Sequence, residues 1–423
     1  VFDPKGEWLK GRVKRSYLRS SQIIWSLIEV GYEPIDWQLD FKSGYRWSEK
    51  TWYKSIKYLN KPGVDIKVPW ELARMQHLPL LAKEYLSEEI TSKQKKALIF
   101  EFRNQVLDFI ATNPPKHGVN WTCSMDVAIR ASNWLLAYDI FCSKGFEFDE
   151  EFKKYFSSSI YQHGKHIVNN FEWNYGERAN HYLSNICGLA FIGRYLNAKD
   201  ESDAWLAFSI NQLIQEVEFQ FYSEGTNFEG STAYHLFTTE MVLYTTSLIM
   251  GIDQASLKKL MQCKLKESFS IPIKSEIRIK ESQRNSDERE GLLVSAFPEN
   301  YFDRLILMCK FLQDISKPDN SFPQIGDNDS GRFFKLNPTF KKLSSSEAKE
   351  TYTNLKDFVN LEDSENYYME DLLDCSYIEK LAKPIFGGVE NQATPINMES
   401  NFFETLIVKS LMGNNNSLII KAP

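Results

Sequence analysis

The feature that most constrains this chain is a long-period recurrence of apolar helical stripes. Helices with one apolar face are expected to start near residues 68, 124, 180 and 231, at spacings of 56, 56 and 51. Each is followed by a second expected helix, at about Ser92–Ala111, Glu150–Asn170, Asp203–Tyr222 and Gln254–Lys266. The cleanest stripe is Leu206, Ile210, Leu213, Ile214, Val217 and Phe221, spaced as one face of an α-helix requires. No sequence motif recurs with the period, so the repeat is one of structure. A row of helical hairpins cannot bury its apolar faces one hairpin at a time, and it builds a solenoid or a closed (α/α) toroid. The expected fold is therefore mainly α. It divides into an aromatic-rich helical and irregular segment (1–60), a toroid of helical hairpins (61–340), a charged connector (341–383) and the first strands of a β domain (384–423).

The period has a consequence for chemistry. In a row of hairpins the helices alternate in direction, so all first helices point the same way and their N-termini share one end. Trp70–Arg74, Trp121–Met125, Asn180-His181 and Tyr234-His235 are expected along that rim. Neighbouring packed helices lie about 8–10 Å apart, so side chains from adjacent starts can reach one ligand. Helix N-termini present unpaired N–H groups and a partial positive charge, which favour an anion.

Composition narrows the classes. The chain of 423 residues has 43% hydrophobic and 25% charged residues, as soluble globular proteins do, and carries a net charge of −6. That charge makes no electrostatic case for nucleic acid. No apolar run reaches 18 residues, so no membrane span is expected. Aromatic residues make up 14%, a content that suits sugar rings in a cleft and equally suits an aromatic core. The six cysteines are widely spaced, without a CxxC pair, and read as free buried thiols.

Beyond the hairpins, a helix at about Glu299–Asp314 leads into PQIGDNDSGR (323–332), a turn-dense acidic loop. Its plain reading is a surface turn. Its spacing does not match a calcium-binding EF-hand loop. Phe402–Ser410 and Asn416–Lys421 read as strands around an MGNNN turn. A two-stranded ribbon is marginal alone, so an antiparallel β domain whose sheet the sequence leaves incomplete is expected.

The candidates for chemistry are Asn180, His181, Tyr234 and His235, with Trp121, Arg130, Asn133, Glu177, Arg178 and Glu229 near them on the expected rim. An Asn beside a His at a helix start can bind a substrate carboxylate, which acidifies the carbon next to it. A Tyr across the cleft can then move the proton as base, acid or both. This is the set needed for β-elimination at a uronic acid, which cleaves a glycosidic bond without water or metal. Each residue also has a structural reading. Tyr234 falls on the core stripe Tyr234, Phe237, Met241, Tyr244, Leu248. Asn180 or His181 could cap a helix. Asp126 and Arg130 could be an ordinary i, i+4 pair, and His163 and His166 could lie on an outer surface.

WNYGERANHYLSN (173–185) followed by EGTNFEGSTAYH (224–235) resembles the helical domain of the heparinase II/III-type polysaccharide lyases, a group that includes oligoalginate lyases. DIKVPWELARMQHL, WTCSMDVAIRASNWL and IGDNDSGR carry the same resemblance, which covers most of residues 60–335. It implies an (α/α) toroid followed by an antiparallel β-sandwich, and lyase chemistry on an acidic, uronate-containing polysaccharide. By that resemblance Asn180 matches the carboxylate-neutralising Asn, with His181 after it. Tyr234 matches the catalytic Tyr, with His235 beside it, and Arg130 and Asn133 are cleft contacts. No cofactor is implied for the chemistry, and a structural metal would belong to the β domain. A periplasmic or secreted location is the one the family favours. One departure stands out: the family's β domain supplies a further His, and no histidine follows His235 here. A glycoside hydrolase using Glu229 with Asp327, and a non-catalytic glycan-binding or polysaccharide-assembly protein, are the alternatives.

Overall fold

The computed structural model describes residues 3–58, 61–173, 178–196, 200–263, 296–319, 321–329, 331–351 and 366–386, and the backbone of strands at 397–400, 406–410 and 416–420. In chain order its elements are α1 (Arg15–Trp25), β1 (Leu39–Asp40), β2 (Tyr45–Arg46), α2 (Lys67–Ala73), α3 (Leu78–Tyr85), α4 (Ser92–Thr112), α5 (Ser124–Ser143) and α6 (Glu150–Asn169). There follow α7 (Asn180–Leu196), α8 (Asp200–Gln220), α9 (Thr232–Met250), α10 (Gln254–Met261), α11 (Glu299–Ile315), β3 (Phe340–Ser344), α12 (Ser345–Thr351) and β4 (Asn366–Glu370). The last are α13 (Tyr377–Phe386), β5 (Asn397–Ser400), β6 (Leu406–Ser410) and β7 (Asn416–Ile420). The expected mainly α class holds, and α5, α7 and α9 begin within a residue of the positions read from the stripes. No described helix is long and apolar enough to cross a membrane. All six cysteines are free thiols.

The chain divides into two compact units, residues 1–170 with 334–371 and residues 171–333 with 372–423. The division falls inside the stretch read from sequence as one toroid.

In the first unit, α3 to α6 form the hairpins. A capping box between Thr91 and Gln94 starts α4, and the Asp149 side chain caps α6 at the N–H of Phe152. The expected helix that starts near residue 68 is broken into α2 and α3. Met75 takes a left-handed φ of 52° there, and Pro79 restarts the helix within its first turn, where its missing N–H costs nothing. Met75 is fully buried, with the Trp134 indole N–H 2.9 Å from its sulfur. Asp108, near the C-terminal end of α4, fixes the aromatic-rich N-terminal segment. One of its carboxylate oxygens accepts from Tyr32 Oη, the Ile35 amide and Trp37 Nε1 at 3.0, 2.9 and 3.2 Å. Burial pushes this carboxyl up to about 7 against those three donors.

Several residues assigned to a ligand-facing rim or a surface lie instead in this unit's interior. Arg130 is fully buried: Nε donates to His163 Nε2 at 3.0 Å, Nη2 donates to the Asn120 carbonyl at 3.1 Å, and the guanidinium lies 4.4 Å from the Phe109 ring centre. Trp121, 1% exposed, donates its indole N–H to the Asn113 carbonyl, and Asn133, fully buried, donates to the Ile129 carbonyl. These three cannot touch a ligand from such positions, which corrects their reading as substrate contacts. His163 and His166 are likewise buried, 0% and 1% exposed, and are not surface residues. Asp126 pairs with Arg74 at 2.6 Å rather than with Arg130. The apolar period placed Asp126, Arg130, Asn133, His163 and His166 on helices. It did not register that aromatic rings and backbone carbonyls solvate Arg130 and the histidines from within.

Phe340–Ser344 spans the expected boundary between the toroid (61–340) and the connector (341–383). It pairs antiparallel as β3 with β4, and α12 lies between the two strands. Lys341 and Lys342 hid the strand, since its residues are mostly exposed and show no apolar alternation.

In the second unit, α7 packs on α8 and α9, α11 packs on α8 and α9, and α13 packs on α9. β5, β6 and β7 form an antiparallel sheet in that order, so the two expected strands are present and a third precedes them. The expected turn at 411–415 lies outside the described residues.

The Arg74–Asp126 pair is buried, with side chains 9% and 1% exposed. Removing one partner strands the other charge, so Asp126→Ala should destabilise the first unit by about 3–5 kcal/mol. The double variant Arg74→Met, Asp126→Leu should recover most of that loss. Urea unfolding of the single and double variants, followed by tryptophan fluorescence, measures both.

Candidate functional site

The start of α9 organises the second unit's polar residues. Ser231 is its N-cap, and the Ser231 hydroxyl accepts from the Tyr234 amide at 3.1 Å. The acidic loop 323–332 is bound onto this same turn. The Thr232 amide donates to the Ile325 carbonyl at 3.0 Å, and the Ile325 amide donates back to Thr232 Oγ1 at 3.0 Å. Ser231 Oγ donates to the Asp327 carbonyl at 2.5 Å. Gly326 makes this approach possible. Its φ is 74°, and a Cβ there would lie 2.7 Å from the Gly230 carbonyl oxygen.

The docked loop delivers two carboxylates to Tyr234. Its hydroxyl oxygen lies 2.9 Å from Asp329 Oδ2 and 3.1 Å from Asp327 Oδ2, so the two carboxylates share its single hydrogen. Burial raises the phenol far above the usual tyrosine range, and the hydrogen bond and charge of Asp329 and then of Asp327 raise it further. Tyr234 is thus a protonated donor at the half-buried end of a stripe in which Phe237 and Met241 are core and Tyr244 and Leu248 are partly exposed. The acidic loop, whose plain sequence reading was a surface turn, is part of the tyrosine's environment.

Asn180 is the first residue of α7 rather than its cap. Its backbone N–H donates to Glu229 Oε1 at 3.0 Å, and its side-chain Nδ2 donates to Glu229 Oε2 at 2.8 Å. The carboxylate therefore satisfies a helix N–H that has no partner within its own helix, at the positive end of the helix dipole. Burial nevertheless moves the Glu229 carboxyl up from its ordinary range, with the Asn180 N–H groups pulling it down.

His181 follows on the exposed side of the turn, with Nδ1 3.1 Å from Glu172 Oε1. Glu172 is itself positioned by Asn185, which donates to Glu172 Oε2 at 3.2 Å and accepts from the Glu172 amide at 2.9 Å. Arg178, just before the helix, pairs with buried Glu216 at 3.3 Å and lies 3.8 Å from the Phe219 ring centre. Glu177 lies outside the described residues.

The two helix starts come together as expected. Asn180 meets Glu229, two residues before the α9 cap. Further along, Ser184 Oγ lies 2.9 Å from Met241 Sδ, and Cys187 Sγ lies 3.8 Å from the Met241 carbonyl. Asn180 thus meets a residue just before α9, while Cys187, two turns along α7, meets Met241 and Thr245 well inside α9, so the two helices run parallel with their N-termini side by side.

His235 does not join them, which corrects its assignment as catalytic. It is fully buried; Nδ1 accepts from the Asn227 amide at 3.2 Å, and Nε2 donates to the Met308 carbonyl at 3.0 Å. Both ring nitrogens are thus taken by backbone, and the ring packs on Phe311 and Phe221. Its role is to brace the 227–235 segment against α11. Sequence reasoning missed Glu172 and Asp329. The first lies in an unremarkable FEW stretch, and the second could have been found from the density of acids after Gly326.

Burial pushes His235 down to about 4, below the free imidazole value of about 6.5. Because the folded pKa is the lower one, its stabilisation is present above about 6.5 and is lost as pH falls toward about 4. Relative to His235→Gln, the unmutated chain should lose about 2 kcal/mol more stability between pH 7 and pH 5. Urea unfolding at the two pH values checks this.

Comparison with known proteins follows from this geometry. The family model described as Heparinase II/III N-terminus matches residues 30–256, more than half of the chain. No curated protein matches it. Among solved structures, a mutant of the heparan sulfate lyase HepC from Pedobacter heparinus is 17% identical, with 89% of this chain and 46% of that chain covered and a TM-score of 0.43. The HepC structure itself gives 17%, 87%, 46% and 0.42. A heparinase III gives 15% identity, 73% and 40% coverage and 0.43. The chain spans about half the length of these structures or less.

Proposed function

The chain belongs to the heparinase II/III N-terminus family, and from that premise we propose that it is part of a polysaccharide lyase that cleaves a uronate-containing polymer by β-elimination. The observation that carries the reading is the pairing of two parallel helix starts, one presenting Asn180 and His181 and the other Tyr234. Asn180 has a second amide hydrogen besides the one given to Glu229, and it sits where the α7 dipole favours an anion. The uronate carboxylate binds there, beside His181. Charge that develops on the carboxylate as the neighbouring carbon loses its proton is then met by fixed donors, which is the most effective place for electrostatic stabilisation. Tyr234 moves the proton. The glycosidic oxygen on the next carbon leaves, and an unsaturated uronate is formed without water or metal entering the equation.

Hydrolysis through Glu229 and Asp327 is less well supported. Both Glu229 oxygens accept from the start of α7, and Asp327 Oδ2 accepts from Tyr234. The pair is committed to binding donors already present.

The test uses the full natural chain and a panel of uronic-acid polysaccharides, read by the ultraviolet absorbance of the unsaturated product and by product mass. Tyr234→Phe should lower kcat by at least ~100-fold. Asn180→Ala should raise the barrier by about 3 kcal/mol. Normal turnover by Tyr234→Phe removes Tyr234 from the mechanism. Saturated reducing ends without the absorbance establish a hydrolase, and tight oligosaccharide binding without turnover establishes a glycan-binding protein.

A further inference from the structure

The Tyr234 hydroxyl poses a problem that the elimination reading alone does not solve. A phenol serves as a base only if it sheds its own proton, and this one is held by two carboxylates that oppose the phenolate. The same two hydrogen bonds supply a way out. Resting on the lyase reading above, we propose that Asp329 is the proton acceptor behind Tyr234, so that the tyrosine acts as a relay rather than as a phenolate.

The step balances without a co-reactant. The carbon–hydrogen bond next to the uronate carboxyl breaks, and the proton goes to the Tyr234 oxygen. The original phenolic O–H bond breaks as its proton passes to Asp329 Oδ2. The electron pair left on carbon forms the double bond as the bond to the glycosidic oxygen breaks. The proton on Asp329 then returns to the phenol, and the phenol's proton goes to the departing oxygen. Tyrosine and aspartate both end as they began.

Asp329 is favoured over Asp327 on geometry. It makes the shorter contact, 2.9 Å against 3.1 Å. Asp327 has a second task, since its Oδ1 accepts from the Asn328 amide at 2.9 Å and its carbonyl accepts from Ser231 Oγ. Asp327 therefore also helps to hold the loop on the first turn of α9. The loop is fixed by backbone bonds to Thr232 on one side. On the other, Arg332 Nε donates to buried Glu240 Oε2 at 3.1 Å, an oxygen that also accepts from Tyr377 Oη at 3.1 Å. An acceptor held on both flanks keeps its distance to the phenol, as a relay within one hydrogen-bond length demands. The elevation of the Tyr234 phenol is the expected companion of this arrangement, since the proton is retained until a base takes it.

Asp329→Asn keeps the shape and an accepting oxygen but cannot take a proton. In the full natural chain it should lower kcat by ~100-fold or more with KM changed less than about threefold, and Asp329→Glu should restore part of the loss. On the Tyr234→Phe background Asp329→Asn should cost nothing further, because it acts through the phenol. A second measurement needs no substrate. The ultraviolet titration of phenolate, taken as the difference from Tyr234→Phe, should show Tyr234 ionising at lower pH in Asp329→Asn than in the unmutated chain. Full kcat in Asp329→Asn, or an equal loss on both backgrounds, overturns the relay. If Tyr234→Phe also turns over normally, or if no uronate polymer is cleaved by the unmutated chain, the lyase reading itself falls and the relay falls with it. If Tyr234→Phe is inactive while Asp329→Asn is not, the relay alone is wrong.

Discussion

The second unit depends on how the first turn of α9 satisfies its free backbone groups. A helix start leaves N–H groups without intrahelical partners, and here they are met from two directions. Ser231 caps the Tyr234 amide, and the Ile325 carbonyl takes the Thr232 amide. The second bond makes loop 323–332 a part of the helix start rather than a surface excursion. Gly326 is required because only a residue without Cβ can approach the Gly230 carbonyl at that backbone angle. Once the loop is docked, the positions of Asp327 and Asp329 relative to Tyr234 follow from main-chain hydrogen bonds.

Both units spend polar side chains on their interiors. His235 fixes the 227–235 segment through two backbone contacts, and Arg332, Glu240 and Tyr377 join loop, α9 and α13 in one buried cluster. The first unit does the same with Arg130 and His163, and with Arg74 and Asp126. Breaking such pairs strands a charge or a donor, so they specify one arrangement even where they add little net stability. For the second unit the result is a rigid frame under a small set of side chains that stay partly exposed: His181, Glu229, Tyr234, Asp327 and Asp329.

Helix positions were legible from the apolar period, because burial on a helix obeys a 3.6-residue rhythm whatever the partner. The starts of α5, α7 and α9 fell within a residue of expectation. The pairing of Asn180 with the Tyr234 turn was legible as well, since it follows from parallel first helices. What the sequence could not convey was which polar residues face inward. Tyr234 occurs on an apolar stripe and Arg130 within an expected helix, and only the surrounding rings and carbonyls decide that Arg130 is buried and Tyr234 reaches a carboxylate. His235 misled for a related reason: adjacency to Tyr234 in sequence puts it about 100° around the helix, toward α11. The acidic loop was visible as composition, but its contact with α9 spans more than 90 residues and has no local signature.

On the lyase reading proposed above, a site that receives a uronate should not be strongly negative, yet Glu172, Glu229, Asp327 and Asp329 all lie at or near it. The geometry resolves the conflict by giving each carboxylate a donor. Glu229 is met by two N–H groups of Asn180 at a helix N-terminus, and burial moves its carboxyl toward the neutral form. Glu172 is met by His181 and Asn185. Asp327 and Asp329 share the Tyr234 hydroxyl, and the Asn328 amide holds Asp327 as well. On that reading a substrate carboxylate placed at the α7 start meets the positive end of the helix dipole and the one Asn180 amide hydrogen that Glu229 does not take. In the proposed elimination Asp327 and Asp329, which face the Tyr234 hydroxyl, act on its proton, while Glu229 holds the start of α7. That separation of tasks suits an elimination in which one anion is bound while a proton is taken from the carbon beside it.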